Sequence, residues 1–256
     1  MSQRIDLSQF KVPVGTSQRF RCPACGGDNT FSVTNASGEY KYYCFRASCS
    51  AKGVERRGLS LSDLTTSRGG EERQPNPFTI PEDWVLPLSE IDTRILKNTH
   101  SWEAYRKRLI DIRVDPAQAR IVYIYRTNGE LGATGRAKKK GAKPKWYRYP
   151  GSTKYPLICG QGSEECAIVE DAASACAISS LCDGMAILGP HLTGEALGCI
   201  LKYKSAVICL DPDAKAKALK FHKLLNVFIP TRVVFTPDDL KYFSPNEIRE
   251  IIKTVA

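Results

Sequence analysis

A chain of 256 residues with 42% apolar side chains can bury a sizeable core and is sized for one or two domains. Thirty-seven Lys and Arg against 27 Asp and Glu leave a formal charge of +10, which favours a polyanionic partner, nucleic acid ahead of anionic lipid. No run approaches the roughly 18 apolar residues of a membrane span, and the opening MSQRIDLSQF lacks the basic-then-apolar layout of a secretory signal, so a globular protein of the cytoplasm is expected.

Residues 1 to 56 hold the first expected unit. Short alternating runs, TFSVT and EYKYY, read as strands of a hairpin sheet too small for a core of its own. Cys22, Cys25, Cys44 and Cys49 are spaced Cys-x2-Cys, eighteen residues, Cys-x4-Cys. Two such knuckles on facing hairpins bring four thiolates to the corners of a tetrahedron, the donor set of structural Zn²⁺. In so small a unit the binding free energy, on the order of 10 kcal/mol, is folding free energy. The other six cysteines are scattered through apolar segments and read as core residues. No thioredoxin-like helix pattern follows Cys25, which argues against redox work. Phe31, Tyr40, Tyr42, Tyr43 and Phe45 interleave with Lys41, Arg46, Lys52, Arg56 and Arg57. Such rings either stack on unpaired bases or pack over the knuckles.

Residues 57 to 80, rich in Gly, Ser, Pro and charge, read as a flexible linker. Residues 81 to 155 read as a basic α+β subdomain. SEIDTRILKNTHSWEAYRKRLI is helical in pattern, and RIVYIY and LGATGRA are strands joined at an Asn-Gly hairpin turn. RAKKKGAKPKWYR then packs seven cations into thirteen residues, enough for salt-dependent phosphate binding. Arg136, Lys138, Lys140, Lys143 and Lys145 are the candidates, and Trp146 either meets a base or anchors the loop.

Residues 156 to 256 alternate strand and helix: CAIVE, DAASACAISSL, GMAILG, TGEALGCILKY, SAVICLD, AKAKALKFHKLL, TRVVF. The alternation predicts an α/β fold, a parallel sheet covered by helices on both faces. In such sheets ligands gather at the carboxyl ends of the strands, and three of those ends carry acid. Glu170 closes CAIVE, Asp211 and Asp213 follow SAVICL, and Asp238 and Asp239 follow TRVVFTP. Carboxylates crowded on one rim call for a cation between them, and oxygen donors suit Mg²⁺ or Mn²⁺. Asp171 and Asp213 are also placed to cap helices. Five acids at three strand ends exceed what capping explains.

The pattern IVEDAASA, LGPHLT, ICLDPDAKAKA, TPDD resembles the TOPRIM fold of DnaG-like primases. The preceding cysteine unit, with YYCFRASC, looks like the zinc ribbon of bacteriophage primases and primase-helicases. The resemblance covers nearly the whole chain. It implies a TOPRIM catalytic core behind a basic subdomain and a zinc ribbon. Glu170 would match the family glutamate, Asp211 and Asp213 its Asp-x-Asp pair, and Asp238 or Asp239 a further acid. Glu170 is followed by Asp171 where many TOPRIM members have Gly. His191 stands in a loop similar to a nucleotide-side segment.

The resemblance further implies a DNA-directed RNA polymerase making short primers on single-stranded DNA from ribonucleoside triphosphates. A replicative helicase and a DNA polymerase would be its partners, in the cytoplasm of an infected bacterium if the chain is phage-encoded. Two alternatives share these modules: a non-catalytic recombination mediator and a TOPRIM nuclease. No Gly-x4-Gly-Lys-Ser/Thr motif is present, so no helicase motor is expected here.

Overall fold

The computed structural model describes residues 5–36, 38–57 and 76–253; positions 58–75, most of the stretch read as a linker, lie outside them. The chain divides into two compact units, one formed by the N-terminal residues together with 190–198, the other by the remainder.

In the first unit, β1 (Ser17–Phe20), β2 (Phe31–Ala36), β3 (Glu39–Cys44) and β4 (Lys52–Arg56) form an antiparallel sheet in that order. Alternation on β3 buries Tyr40, Tyr42 and Cys44 and exposes Lys41 and Tyr43, as a one-sided sheet requires. The unit has a core after all. Ile5, Leu7, Phe10 and Val12 cluster with Phe31, Val33, Tyr40 and Tyr42, and the Phe10 ring lies 5.4 Å from Phe31. The buried Asn35 amide ties this segment down by donating to Val12 O at 2.8 Å and Tyr40 OH at 3.0 Å. The N-terminal apolar residues were invisible to periodicity because they form neither helix nor strand.

The second unit opens with α1 (Glu90–Asn98) and α2 (Trp102–Arg106). Ser89 caps α1 by accepting from the Asp92 backbone N–H. The single expected helix is broken between them. The Thr99 hydroxyl turns back onto Ile95 O at 3.0 Å and His100 takes a left-handed φ of 49°, conformations that end a helix.

An antiparallel meander follows: β5 (Asp111–Asp115), β6 (Arg120–Thr127), β7 (Glu130–Ala137) and β8 (Trp146–Arg148). Asn128 and Gly129 join β6 to β7 with φ of 52° and 81°, the two positive values a tight primed turn needs.

The last sheet has the order β13 (Thr231–Val233), β12 (Ser205–Ile208), β10 (Glu165–Val169), β11 (Asp183–Ala186), β9 (Leu157–Cys159). Its first four strands are parallel; β9 pairs antiparallel with β11. The sheet is therefore mixed rather than wholly parallel, because the short edge run LIC lacked a following helix to mark it as a strand. Cys166 to Val169, all of β11 and Ala206 to Ile208 are buried, the pattern of strands covered on both faces. The connecting helices are α3 (Ala172–Ile178), α4 (Gly194–Ile200) and α5 (Lys215–Leu225), with α6 (Pro245–Lys253) at the end.

α3 is built of small residues and is buried along its length. It approaches β11 so closely that a Cβ at Gly184 would collide with the Ala175 carbonyl oxygen. One core joins Ile112, Ile121 and Tyr123 of the meander to Leu157, Val169, Ala173 and Val207, and each such fully buried aliphatic side chain contributes about 2 kcal/mol. Phe78, at the end of the stretch read as linker, packs on Trp84 and Tyr149. No helix among the described residues is long and apolar enough to cross a membrane.

Candidate metal centre and carboxylate rim

Cys22 and Cys25 lie on the turn leaving β1, Cys44 ends β3 and Cys49 precedes β4. Gly26 takes the positive φ of 67° that lets its N–H reach Cys22 O at 2.8 Å, closing the first knuckle. Sγ of Cys22 lies 3.8 Å from that of Cys49, and Sγ of Cys25 lies 3.8 Å from that of Cys44. All four sulfurs fall within 4.8 Å of one another. A tetrahedron with zinc–sulfur bonds of about 2.3 Å has edges of about 3.8 Å, so the four cysteines fit a structural zinc with no coordination position to spare. They share their protons unequally. The Gly27 backbone N–H leads in bringing the Cys25 thiol down to about 6. Cys49 accepts from the Ala51 N–H, yet burial and its sulfur neighbours push it up to about 12. The six remaining cysteines are buried, and burial raises Cys182 and Cys209 to about 12, which leaves them inert.

The acid-bearing strand ends adjoin. β10, β12 and β13 are parallel neighbours, with Ile168 opposite Ile208 and Ile208 opposite Val233, so the residues that follow them emerge on one edge of the sheet. Glu170 accepts from Lys217 Nζ at 3.0 Å. Asp211 is half-buried, and its carboxyl is pushed up to about 6: burial raises it most, Lys241 opposes, and Asp239, Asp171 and Glu170 add their repulsion. Asp213 is exposed, and α5 has no side-chain cap, which removes capping as its role. Asp171 does cap α3, accepting from the Ser174 N–H at 2.9 Å. Its other oxygen holds Lys241 Nζ at 2.9 Å, and that ammonium also grips Asp239. Asp238 accepts the Asp239 N–H at 2.7 Å and is exposed. Among the described residues only the cysteines form a compact group of three or more metal-ligating side chains; the rim carboxylates are interleaved with lysines.

The basic segment divides by fate. Arg136, on β7, donates to Tyr242 OH at 3.4 Å, which places its guanidinium beside the turn carrying Asp239 and Lys241. Its Nη1 is buried without a partner. Lys138 departs from the expectation of a free phosphate ligand: its ammonium sits 2.5 Å from the buried Asp92 carboxylate on α1. Helix and strand come together there through folding, which spacing along the chain does not reveal. Lys140, Lys143 and Lys145 are exposed. Trp146 is half-buried, 5.7 Å from Tyr123 at the core margin, where it packs. His191 belongs to the segment that clusters with the first unit. On the ribbon, Phe31, Tyr40 and Tyr42 pack inward, whereas Tyr43 and Phe45 are exposed, with the Arg19 guanidinium 4.6 Å from the Phe45 ring.

Three side chains escaped sequence reasoning. Lys217 lies four residues beyond Asp213, the one-turn spacing that carries it back to the rim. Arg120 is buried and pins the basic segment by donating to Pro144 O at 3.0 Å and Gly135 O at 3.3 Å. Lys241 in DDLKY carries no sign that it will be buried. Comparison of the chain with protein-family models and with curated proteins finds no match.

Proposed function

We propose that this chain is a primase: a zinc ribbon followed by a TOPRIM-type nucleotidyl transferase that makes short RNA primers on single-stranded DNA. The observation that carries the proposal is the adjacency of β10, β12 and β13, which brings the strand ends followed by Glu170, Asp211 and Asp213 to one edge of the sheet and so supports the motif resemblance. The donor set suits the implied cation. Asp211 is raised by burial and by neighbouring acids, repulsion that a divalent ion would relieve. Glu170, Asp211 and Asp213 would hold Mg²⁺ or Mn²⁺, and bound there it would favour ionisation of the attacking hydroxyl and offset phosphate charge.

In the step proposed, a 3′-hydroxyl gives its proton to solvent as its oxygen bonds to the α-phosphorus of the next ribonucleotide, the bond from that phosphorus to the bridging oxygen of the β-phosphate breaks, and pyrophosphate leaves with the electron pair. Arg136, with an unpartnered donor beside the rim, is suited to a triphosphate oxygen. Lys140, Lys143 and Lys145 would track template phosphates. The cysteine ribbon would hold the template through Tyr43 and Phe45, with a replicative helicase and a DNA polymerase as partners in a bacterial cytoplasm.

The test is incubation with random single-stranded DNA, all four ribonucleotides and Mg²⁺ or Mn²⁺. Oligoribonucleotides are expected from the native chain and none from Asp211→Ala, which should keep most of its DNA affinity. Shortening of labelled DNA without nucleotides would reveal a nuclease instead, and binding without any chemistry would reveal a mediator.

A further inference from the structure

We infer that Lys241 is a fixed internal counter-ion and positioning residue, seating Asp239 and Asp171 so that Glu170, Asp211 and Asp213 are left for the divalent cation. The inference rests on the primase reading for its consequence and on geometry for its substance. Lys241 is fully buried, with side-chain exposure of 0%. A desolvated ammonium persists only where carboxylates surround it, and here it has two, Asp171 at 2.9 Å and Asp239. Both oxygens of Asp171 are already engaged: Oδ1 accepts the Ser174 N–H and Oδ2 accepts from Lys241. The lysine is anchored from below as well, since Leu240 beside it is buried in the main core. Lys217 makes the contrast. It is held by one ion pair, to Glu170 at 3.0 Å, and a long hydrogen bond to Gly189 O at 3.4 Å, and its side chain is 23% exposed, so an arriving cation can displace it into solvent. Lys241 has no such exit.

The two acids of the Asp238–Asp239 doublet therefore differ. Asp239 acts through the lysine, not as a metal ligand, while Asp238 faces solvent. With the lysine in place, one positive charge is built into the rim, which lowers its pull on divalent ions and keeps Asp239 from becoming a competing ligand. A purely structural role would make the same lysine only a staple between α3 and the 240–242 turn. The two roles separate on metal affinity, which a staple leaves alone.

The experiment measures Mn²⁺ binding to the full-length, zinc-loaded chain by the loss of the free-ion paramagnetic signal, together with primer synthesis. Lys241→Met removes one charge a few ångströms from the rim and should tighten Mn²⁺ roughly tenfold. Lys241→Met with Asp239→Asn should return to the native affinity. A folded Lys241→Met protein with unchanged or weaker Mn²⁺ binding overturns the inference. Should Lys241→Met fail to fold, Asp239→Asn alone decides: a loss of less than about tenfold in Mn²⁺ affinity is expected of a charge at one remove, and a greater loss makes Asp239 a ligand and overturns the proposal. If the native chain binds Mn²⁺ as described but makes no primers, the primase reading fails while the role of Lys241 stands. Primer synthesis with Mn²⁺ affinity insensitive to Lys241 does the reverse, keeping the primase and removing the role of the lysine, and a native chain that binds no Mn²⁺ sinks both.

Discussion

At the scale of single residues, Asp211 carries a measurable signature. Its carboxyl is raised from 3.8 to about 6, burial first among the causes, so the folded protein holds that proton more tightly than the unfolded chain does. The stabilisation is complete below the unfolded value and is lost as pH rises through about 6. At neutral pH the ionised group therefore strains the cation-free fold. Asp211→Asn should be more stable than the native chain near pH 7.5, by on the order of 1 kcal/mol once half-exposure to solvent is allowed for, and equal to it below about pH 4. Urea unfolding without divalent cation, followed by tryptophan fluorescence, reads this directly, since Trp84, Trp102 and Trp146 all belong to the second unit. A less stable variant at pH 7.5, or a difference independent of pH, would remove the crowded-carboxylate account.

The basic segment shows how an element assigns different work to like side chains. The segment from the end of β7 through β8, residues 136–148, presents seven cations in thirteen residues, but Arg120 beneath it fixes the backbone at Pro144 and Gly135, and Lys138 is spent on Asp92. Breaking a pair in which one partner is buried leaves an uncompensated charge, at about 3 kcal/mol where burial is complete. Lys138→Ala should thus lower the unfolding midpoint and leave the salt dependence of DNA binding as it was. Replacing Lys140, Lys143 and Lys145 together by Ala should leave stability alone and reduce the slope of log affinity against log salt by about 2, at roughly 0.7 per phosphate contact on a single strand. Fluorescence anisotropy with labelled single-stranded DNA at several salt concentrations compares the two variants. Equal slopes for native and triple-variant chains would make these lysines a solvated face.

On the scale of the whole molecule, the two units draw on different sources of stability. The second unit has a continuous apolar core across two sheets, whereas the first has a small one around Phe31 and a tetrad of cysteines with zinc-like spacing. Chelation of the metal should release four fast-reacting thiols and loosen the first unit, while the tryptophan fluorescence of the second stays native. Disulfide-exchange titration before and after chelation counts them, and the six buried cysteines should stay unreactive in both. Ten fast thiols on chelation would mean that the units unfold as one.

Wherever neighbouring residues dictate the outcome, the chain could be read before it folds. The Asn128–Gly129 turn, the cysteine knuckles and the strand-helix alternation from CAIVE to TRVVF were all legible, because turn geometry, metal-ligand spacing and periodicity are local properties. Folding in three dimensions had to settle which strands adjoin, that residues 5 to 12 close over the ribbon sheet, that Lys138 meets Asp92, and that Lys241 is buried between two acids. Those outcomes depend on pairs far apart along the chain, Lys241 with Asp171 among them. Their energy comes from burial and charge complementarity between elements, which no window of sequence contains.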